Sequence, residues 1–398
     1  MDTSAVVIKQ TQTKPPLILF KDQKTNRNVT LDVIRGIAIL MVVLSHLALV
    51  DKQVVTAGFF KYIQLFFSVI KIGGWSGVDL FFVLSGFLIS GLLFKEYKQT
   101  GTIKMKTFLI RRGFKVYPGF VLFILFSFVF ETILKLYFHK TSFLTTDYIK
   151  DLFFLHNYLG GRWDTTWSLD VEEAFYFLLP AFFLACIYFN KISPKGLIKS
   201  YLVLLLLSIA GRFIMNIRHP VYNFQLQYTY SHLRLDALFF GVILSYLYHY
   251  YKEQLFAFFS RFKYMILICS IIMIVPDFIF HREQNNWISI FLLSTNPIAY
   301  GSLLILALKS KSKSKIFENS ILSFIGRNSY AMYLWFPFIN LYLQKIFLPH
   351  ASEKSFIVYF IFYIAGTILC GMIITKTIEQ PFLKLRDRLY GKQSLGRM

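Results

Sequence analysis

Arg35 and His46 stand eleven residues apart in VTLDVIRGIAILMVVLSHLALV, residues 29–50, a stretch otherwise apolar enough for a lipid bilayer. Eleven helical steps of about 100° make three turns plus roughly 20°, so both side chains would leave one face, on the order of 16 Å apart along the axis. A single ligand can then meet both. A guanidinium suits phosphate or carboxylate, and an imidazole moves protons near neutral pH. Ionisable groups at such depth normally face a bundle interior and mark a site or pathway. A plainer assignment also stands, in which Arg35 extends to the interface and pairs with Asp32, while His46 bonds to a neighbouring helix.

Three other segments carry side chains of the same kind. In FLIRRGFKVYP, Arg111, Arg112 and Lys115 occupy i, i+1 and i+4 before Pro118, a set that suits a phosphate-rich ligand and that the positive-inside rule alone would also supply. GGWSGVDLFFVLSGFLISG offers Gly73, Gly74, Gly77, Gly86 and Gly91 with Ser76, Ser85 and Ser90, either for close helix packing or as a slot for a thin ligand; Asp79 is a first-turn carboxylate there. In GRWDTTWSLDVEEAFYFLLP, Asp170 and Glu173 have capping-box spacing and Glu172 favours the positive helix end, while Trp163, Trp167, Phe175 and Tyr176 form an interfacial belt or a sugar platform. Further on, SHLRLDALFFG sets Arg234 and Asp236 at a helix entrance, and RNSYAMYLWFP and TIEQPFLKLR flank the last two apolar runs.

The elements that must position these residues are membrane helices. The 398 residues are 56% hydrophobic, 19% aromatic and only 16% charged, whereas soluble domains sit near a quarter charged. Apolar runs of spanning length fall at 31–50, 77–94, 117–138, 174–189, 198–215, 235–251, 262–280, 288–308, 329–348 and 355–375, which predicts an all-α polytopic membrane protein of about ten transmembrane helices. Lys9, Lys14, Lys21, Lys24 and Arg27, the cluster from Lys95 to Lys115, Lys191 and Lys195, Lys252 with Arg261 and Lys263, the run Lys309–Lys315 and the basic C-terminal tail all fall on one side. The other side receives Asp147, Asp151, Asp164, Asp170, Glu172 and Glu173, so both termini are expected in the cytoplasm. The organisation expected is a cytoplasmic tail (1–30), a transmembrane domain (31–375) and a basic cytoplasmic tail (376–398). MDTSAVVIKQTQTKPP is polar and opens no signal peptide, so the first span is expected to be retained. The net charge of +22 belongs to these loops and to no separate basic domain, which argues against nucleic acid. Cys186, Cys269 and Cys370 lie singly inside apolar runs, and neither a disulfide framework nor a metal site is expected. No internal repeat suggests inverted transporter halves.

Taken in order, these segments resemble acyltransferase family 3, membrane O-acyltransferases that use acyl-CoA to decorate envelope sugars and some small molecules. The resemblance runs from about Leu31 to Arg386. It rests on Arg35 and His46 ten residues between them, on Phe81, Ser85 and Gly86 as FxxxSG, on RRGFKVYP with Lys115 for the family's arginine, on WSLDVEEAFY, on Arg234-Leu235-Asp236 and on Glu379, Pro381 and Phe382. Trp335 stands where many members carry a histidine, and the extracellular SGNH-type domain fused in some relatives is expected to be absent. The resemblance implies a multi-pass protein of the bacterial cytoplasmic (inner) membrane. Acyl-CoA, most often acetyl-CoA, would be a co-substrate with no permanently bound cofactor. The acceptor would be a hydroxyl of an envelope polysaccharide such as lipopolysaccharide, or of a lipid-linked saccharide. On this reading Arg35, Ser85, Arg111, Arg112, Lys115 and Glu379 hold the donor and His46 is the general base. Glu172 assists it, and Trp167, Ser168, Glu173 and Tyr176 meet the acceptor. Asp32, Asp79, Arg234 and Asp236 orient the rest. The competing reading is a flippase or transporter of a glycan-linked or acylated lipid, with the same charges lining its path.

Overall fold

A computed structural model describes residues 28–49, 59–138, 144–189, 192–281, 284, 286–310, 320–347 and 352–391. The lysines and arginine expected on the N-terminal tail, Lys191, the lysine and serine run beyond residue 310 and the last seven residues lie outside the described residues.

Each of the ten apolar runs is helical: α1 (Val29–Ser45), α3 (Gly77–Thr100), α4 (Met105–Phe138), α7 (Trp167–Tyr188), α8 (Pro194–Arg218), α9 (Leu235–Tyr250), α11 (Lys263–Ile279), α12 (Asn286–Lys309), α14 (Ser329–Phe347) and α15 (Glu353–Ile374). Between them lie α2 (Phe59–Gly73), α5 (Thr145–Leu152), α6 (His156–Leu159), α10 (Lys252–Arg261) and α13 (Ser320–Arg327), and α16 (Gln380–Tyr390) follows the last. In lipid every backbone polar group must be bonded internally, which leaves an apolar run one choice. Among the described residues six helices are long and apolar enough to cross a membrane, or seven if α10 and α11, bent by 81°, make one span. The chain is thus a multi-pass membrane protein, and among the described residues the helices of full spanning length are fewer than the apolar runs. The physical reason is length and polarity: α1 and α9 have 17 and 16 residues, at or below the usual minimum of about 17, and α14 carries Asn340, Gln344 and Lys345.

Leu125, Val129, Leu206, Leu207, Ile268 and Ile272 point outward on these helices, as lipid-facing residues do, and α1 is buried at the centre. Two close crossings set the frame. At the crossing of α1 and α13, a Cβ on Gly326 would sit 1.7 Å from the Asp32 carbonyl oxygen, and one on Gly36 would sit 2.2 Å from that of Leu322. Where α3 meets α9, a Cβ on Gly86 would sit 1.9 Å from the Leu238 carbonyl oxygen. Small residues let the backbones approach this closely. Of the glycines offered for packing or for a slot, Gly86 serves packing. The far end of α1 is tied down by side chains: the Tyr363 hydroxyl donates to the Val43 carbonyl at 2.8 Å and the Asn340 amide to the His46 carbonyl at 2.8 Å, meeting acceptors a helix end leaves open.

Candidate active site

A cavity of about 150 Å³ opens where α1, α3, α4, α7, α13 and α14 meet. Its cations are Arg35 from α1, Arg112 and Lys115 from α4, and Arg327 from the end of α13. Its reactive oxygens are the Ser85 hydroxyl from α3 and the Ser168 hydroxyl and Glu172 carboxylate from α7; Phe81, Phe82, Tyr330 and Tyr333 supply aromatic walls. Arg327 reaches the cavity because the Gly36 and Gly326 crossing presses α13 onto α1.

Glu172 is held from two sides. Ser85 Oγ donates to its Oε1 at 2.6 Å, and the Tyr176 hydroxyl, one helical turn on, donates to its Oε2 at 2.6 Å. Arg112 donates in turn to the Tyr176 hydroxyl and lies over the Tyr176 ring, 4.1 Å from its centroid. The carboxylate is fixed in orientation, with one oxygen turned to Ser85. Lys115 donates to Glu379, whose other oxygen accepts from the Thr375 hydroxyl at 3.1 Å. Glu379 is 2% exposed and closes a π-helical turn, Thr375–Glu379, between α15 and α16; such turns insert a residue and re-aim side chains. Arg35 Nη1 lies 3.3 Å from Asp32 Oδ1, the pairing its i, i+3 spacing allows. Ser168 Oγ lies 2.6 Å from the Tyr333 hydroxyl, which itself donates to the Thr165 carbonyl at 2.9 Å.

The other expected residues stand elsewhere. Arg111 turns away and donates to the Tyr390 and Gly391 carbonyls at 3.0 and 2.7 Å, holding the end of α16. His46 follows the last turn of α1 as its exposed C-cap, outside the cavity lining. Its Nδ1 is 2.9 Å from the Val42 carbonyl and its ring lies 5.0 Å from that of Phe336. Trp167 packs edge-on to Phe82 behind the cavity, and Glu173 accepts from the Tyr117 hydroxyl at 3.1 Å. Asp79 is no lone helix-start carboxylate: it pairs with Arg234, both fully buried, and accepts from Asn296 at 3.1 Å. Asp236 pairs with Arg212 at 2.7 Å. The capping box expected at Asp170 is absent because α7 already starts at Trp167; Asp170 accepts instead from the Asn157 backbone at 3.0 Å. Beyond the apolar runs, Arg162 binds Glu131 through two nitrogens, and those hydrogen bonds hold its pKa above the ordinary arginine value.

Residues 28–376 match the model of a family described as an acyltransferase domain. The chain belongs to acyltransferase family 3. It is similar, at 29% identity over 89% of its own length and 57% of the relative's, to a Staphylococcus aureus (strain COL) protein named "Putative O-acetyltransferase SACOL0978". It is also 27% identical to "Peptidoglycan O-acetyltransferase OatA" of Listeria monocytogenes, over 78% of this chain and 52% of that one. "O-acetyltransferase OatA" of Staphylococcus aureus (strain NCTC 8325 / PS 47) is 26% identical over 78% and 53%. The chain therefore spans little more than half the length of these relatives. No solved structure matches it.

In this family member sequence reasoning passed over Arg327, Tyr330 and Tyr333. The one available signal was the motif RNSY at the start of the ninth apolar run, which sets a cation just before a helix whose first turns face inward.

Proposed function

We propose that this protein is an O-acyltransferase that moves an acyl group, most readily acetyl, from cytoplasmic acyl-CoA to a hydroxyl of a bacterial envelope glycan or glycolipid. The observation that carries it is the composition of one cavity: four cations beside a serine hydroxyl held by a carboxylate. On the topology read from the charges, Arg35, Arg112, Lys115 and Arg327 lie toward the cytoplasm, and Ser85, Ser168 and Glu172 lie deeper. The nucleotide phosphates would meet Arg35, Lys115 and Arg327, with Arg and Lys suited to them, while Arg112 stays on Tyr176 beside Glu172, and the pantetheine arm would carry the thioester inward to the Ser85 and Glu172 pair. Glu172 is the base in the cavity. His46, at the opposite end of α1 from Arg35 and outside the cavity lining, is proposed to orient the acceptor where it enters from the outer side, with Nδ1 turned to the Val42 carbonyl. The relatives named as O-acetyltransferases, one of them of peptidoglycan, support a cell-wall or similar glycan acceptor.

The test is release of CoA thiol by the purified protein in lipid nanodiscs with acetyl-CoA and candidate glycans. Acceptor-dependent release is expected, and Arg35→Ala should raise the KM for acetyl-CoA by about tenfold, the loss of roughly 1.4 kcal/mol of binding, with little change in kcat. Glycan-stimulated flux of lipid without any thiol release would instead establish the transporter reading. His46→Ala with unchanged transfer would remove that residue from the mechanism.

A further inference from the structure

The geometry points to Ser85 as a nucleophile that carries the acyl group as a covalent ester between donor and acceptor, which rests on the acyl-CoA reading above. Of the serines lining the cavity, Ser85, Ser168 and Ser329, Ser85 is the one among the described residues whose hydroxyl is seen donating to a carboxylate, at 2.6 Å from Glu172 Oε1. A hydroxyl is a weak nucleophile until a positioned base takes its proton, and this pairing is the arrangement that does so. Ser168 is disposed differently, because its oxygen faces the Tyr333 hydroxyl.

Both partners are fixed from behind. Gly86, the next residue after Ser85, is pressed to within van der Waals contact of the α9 backbone, where even a Cβ would collide with the Leu238 carbonyl. That contact sets the rotation of α3 about its axis and so aims Ser85 at α7. Glu172 cannot swing away, because its second oxygen is engaged by Tyr176, which is itself engaged by Arg112. Arg112, the lining cation tied through Tyr176 to Glu172, offsets negative charge developing on the carbonyl oxygen.

The reaction then balances in two halves. Ser85 Oγ bonds to the thioester carbon and its proton passes to Glu172. The carbon–sulfur bond breaks, and Glu172 returns the proton to the departing thiolate, which leaves as CoA thiol. In the second half the acceptor hydroxyl attacks the Ser85 ester and gives its proton to Glu172. Glu172 then protonates Ser85 Oγ as the product ester departs. No oxidant, reductant or metal is required.

The experiment uses the full chain in nanodiscs with radiolabelled acetyl-CoA and no acceptor. The expected result is a burst of about one equivalent of CoA thiol and one acetyl group bound to the peptide that contains Ser85, with parallel double-reciprocal plots when acceptor is added. Glu172→Gln should slow the burst by about 10²-fold or more. Ser85→Ala should abolish burst and label together. Ser85→Cys should accumulate the acetyl group as a thioester cleaved by neutral hydroxylamine, and it guards against misreading a folding defect in the alanine variant. Acceptor-dependent thiol release with no label at Ser85, with label on another residue or with intersecting plots overturns the Ser85 ester and leaves the acyl-CoA reading intact. Absence of thiol release with any acceptor, and of any label, overturns both.

Discussion

Removing Lys115 alone would strand Glu379, a carboxylate 2% exposed, with its charge uncompensated. Breaking a buried pair in this way costs about 3–5 kcal/mol, whereas replacing both partners by neutral groups of similar shape costs far less. Lys115→Ala should therefore destabilise the protein strongly in detergent denaturation, and Lys115→Met with Glu379→Gln should recover most of that loss. Additive losses would show the two residues to be energetically independent. Arg112→Lys tests the other arm: lysine keeps the charge and loses the planar fork that stacks on Tyr176. A kcat lowered by about 10²-fold with KM for acetyl-CoA nearly unchanged is expected, the size of effect seen when one preorganised donor is removed. A rise in KM alone would make Arg112 a donor ligand instead. In the sequence, Arg111, Arg112 and Lys115 look like one phosphate grip. Neighbouring helical residues diverge by about 100°, and the three side chains reach partners 280, 64 and 264 residues away. Spacing along one helix carries the charge of such a cluster and says nothing about distant partners.

At the level of elements, the crossing of α1 and α13 decides whether Arg327 and Tyr330 line the cavity. Gly326→Ala would place a methyl group 1.7 Å from the Asp32 carbonyl oxygen, a backbone atom that cannot turn aside, so the helices must separate. Overpacking of this kind costs typically about 1–3 kcal/mol, and here it also moves a cavity wall. The expected outcome is a lowered melting temperature and a weakened response to acetyl-CoA. Gly366→Ala is the control, since its nearest neighbour would be 3.7 Å away on Ile339, and it should leave both properties unchanged. The ten apolar runs were legible because hydropathy alone dictates a helix in lipid. α2 was not, because Lys61 and Lys71 interrupt its apolar stretch; it presents Tyr62, Leu65, Phe66 and Val69 outward at helical spacing, a pattern of periodicity more than of mean hydropathy. The π-helical turn that aims Glu379 at Lys115 leaves no local mark in TKTIE either. Ser85 and Glu172 were both singled out in the sequence, yet their direct contact depends on the packing of α3 against α7 and α9, which hydropathy does not register.

For the whole molecule, orientation in the membrane decides which compartment supplies the donor. Acyl-CoA is cytoplasmic, so the end of the cavity that carries Arg35, Arg112, Lys115 and Arg327 must open inward for the proposed chemistry to run. The same orientation sets the 144–166 segment outside, where Asp164 is 86% exposed beside His156, and it sets Lys98 and Lys309 inside. These placements follow from a charge bias carried by many loops, and each crossing reverses the side of every loop beyond it. In a variant with Cys186, Cys269 and Cys370 replaced by alanine, a cysteine at Asp164 should react with a membrane-impermeant maleimide on intact cells. One at Lys98 or Lys309 should react only after permeabilisation. The reverse pattern at all three positions would turn the cationic mouth away from the acyl-CoA pool and remove the donor from the mechanism, whatever the cavity's chemistry. A mixed pattern, with Asp164 and Lys98 as expected and Lys309 reached from outside, would mean that an odd number fewer or more crossings run from α7 to α12, while leaving Arg35, Arg112, Lys115, Ser85 and Glu172 in the same relation to the cytoplasm. Labelling at these three positions thus separates a different number of crossings from α7 to α12 from a cationic mouth that faces away from the cytoplasm.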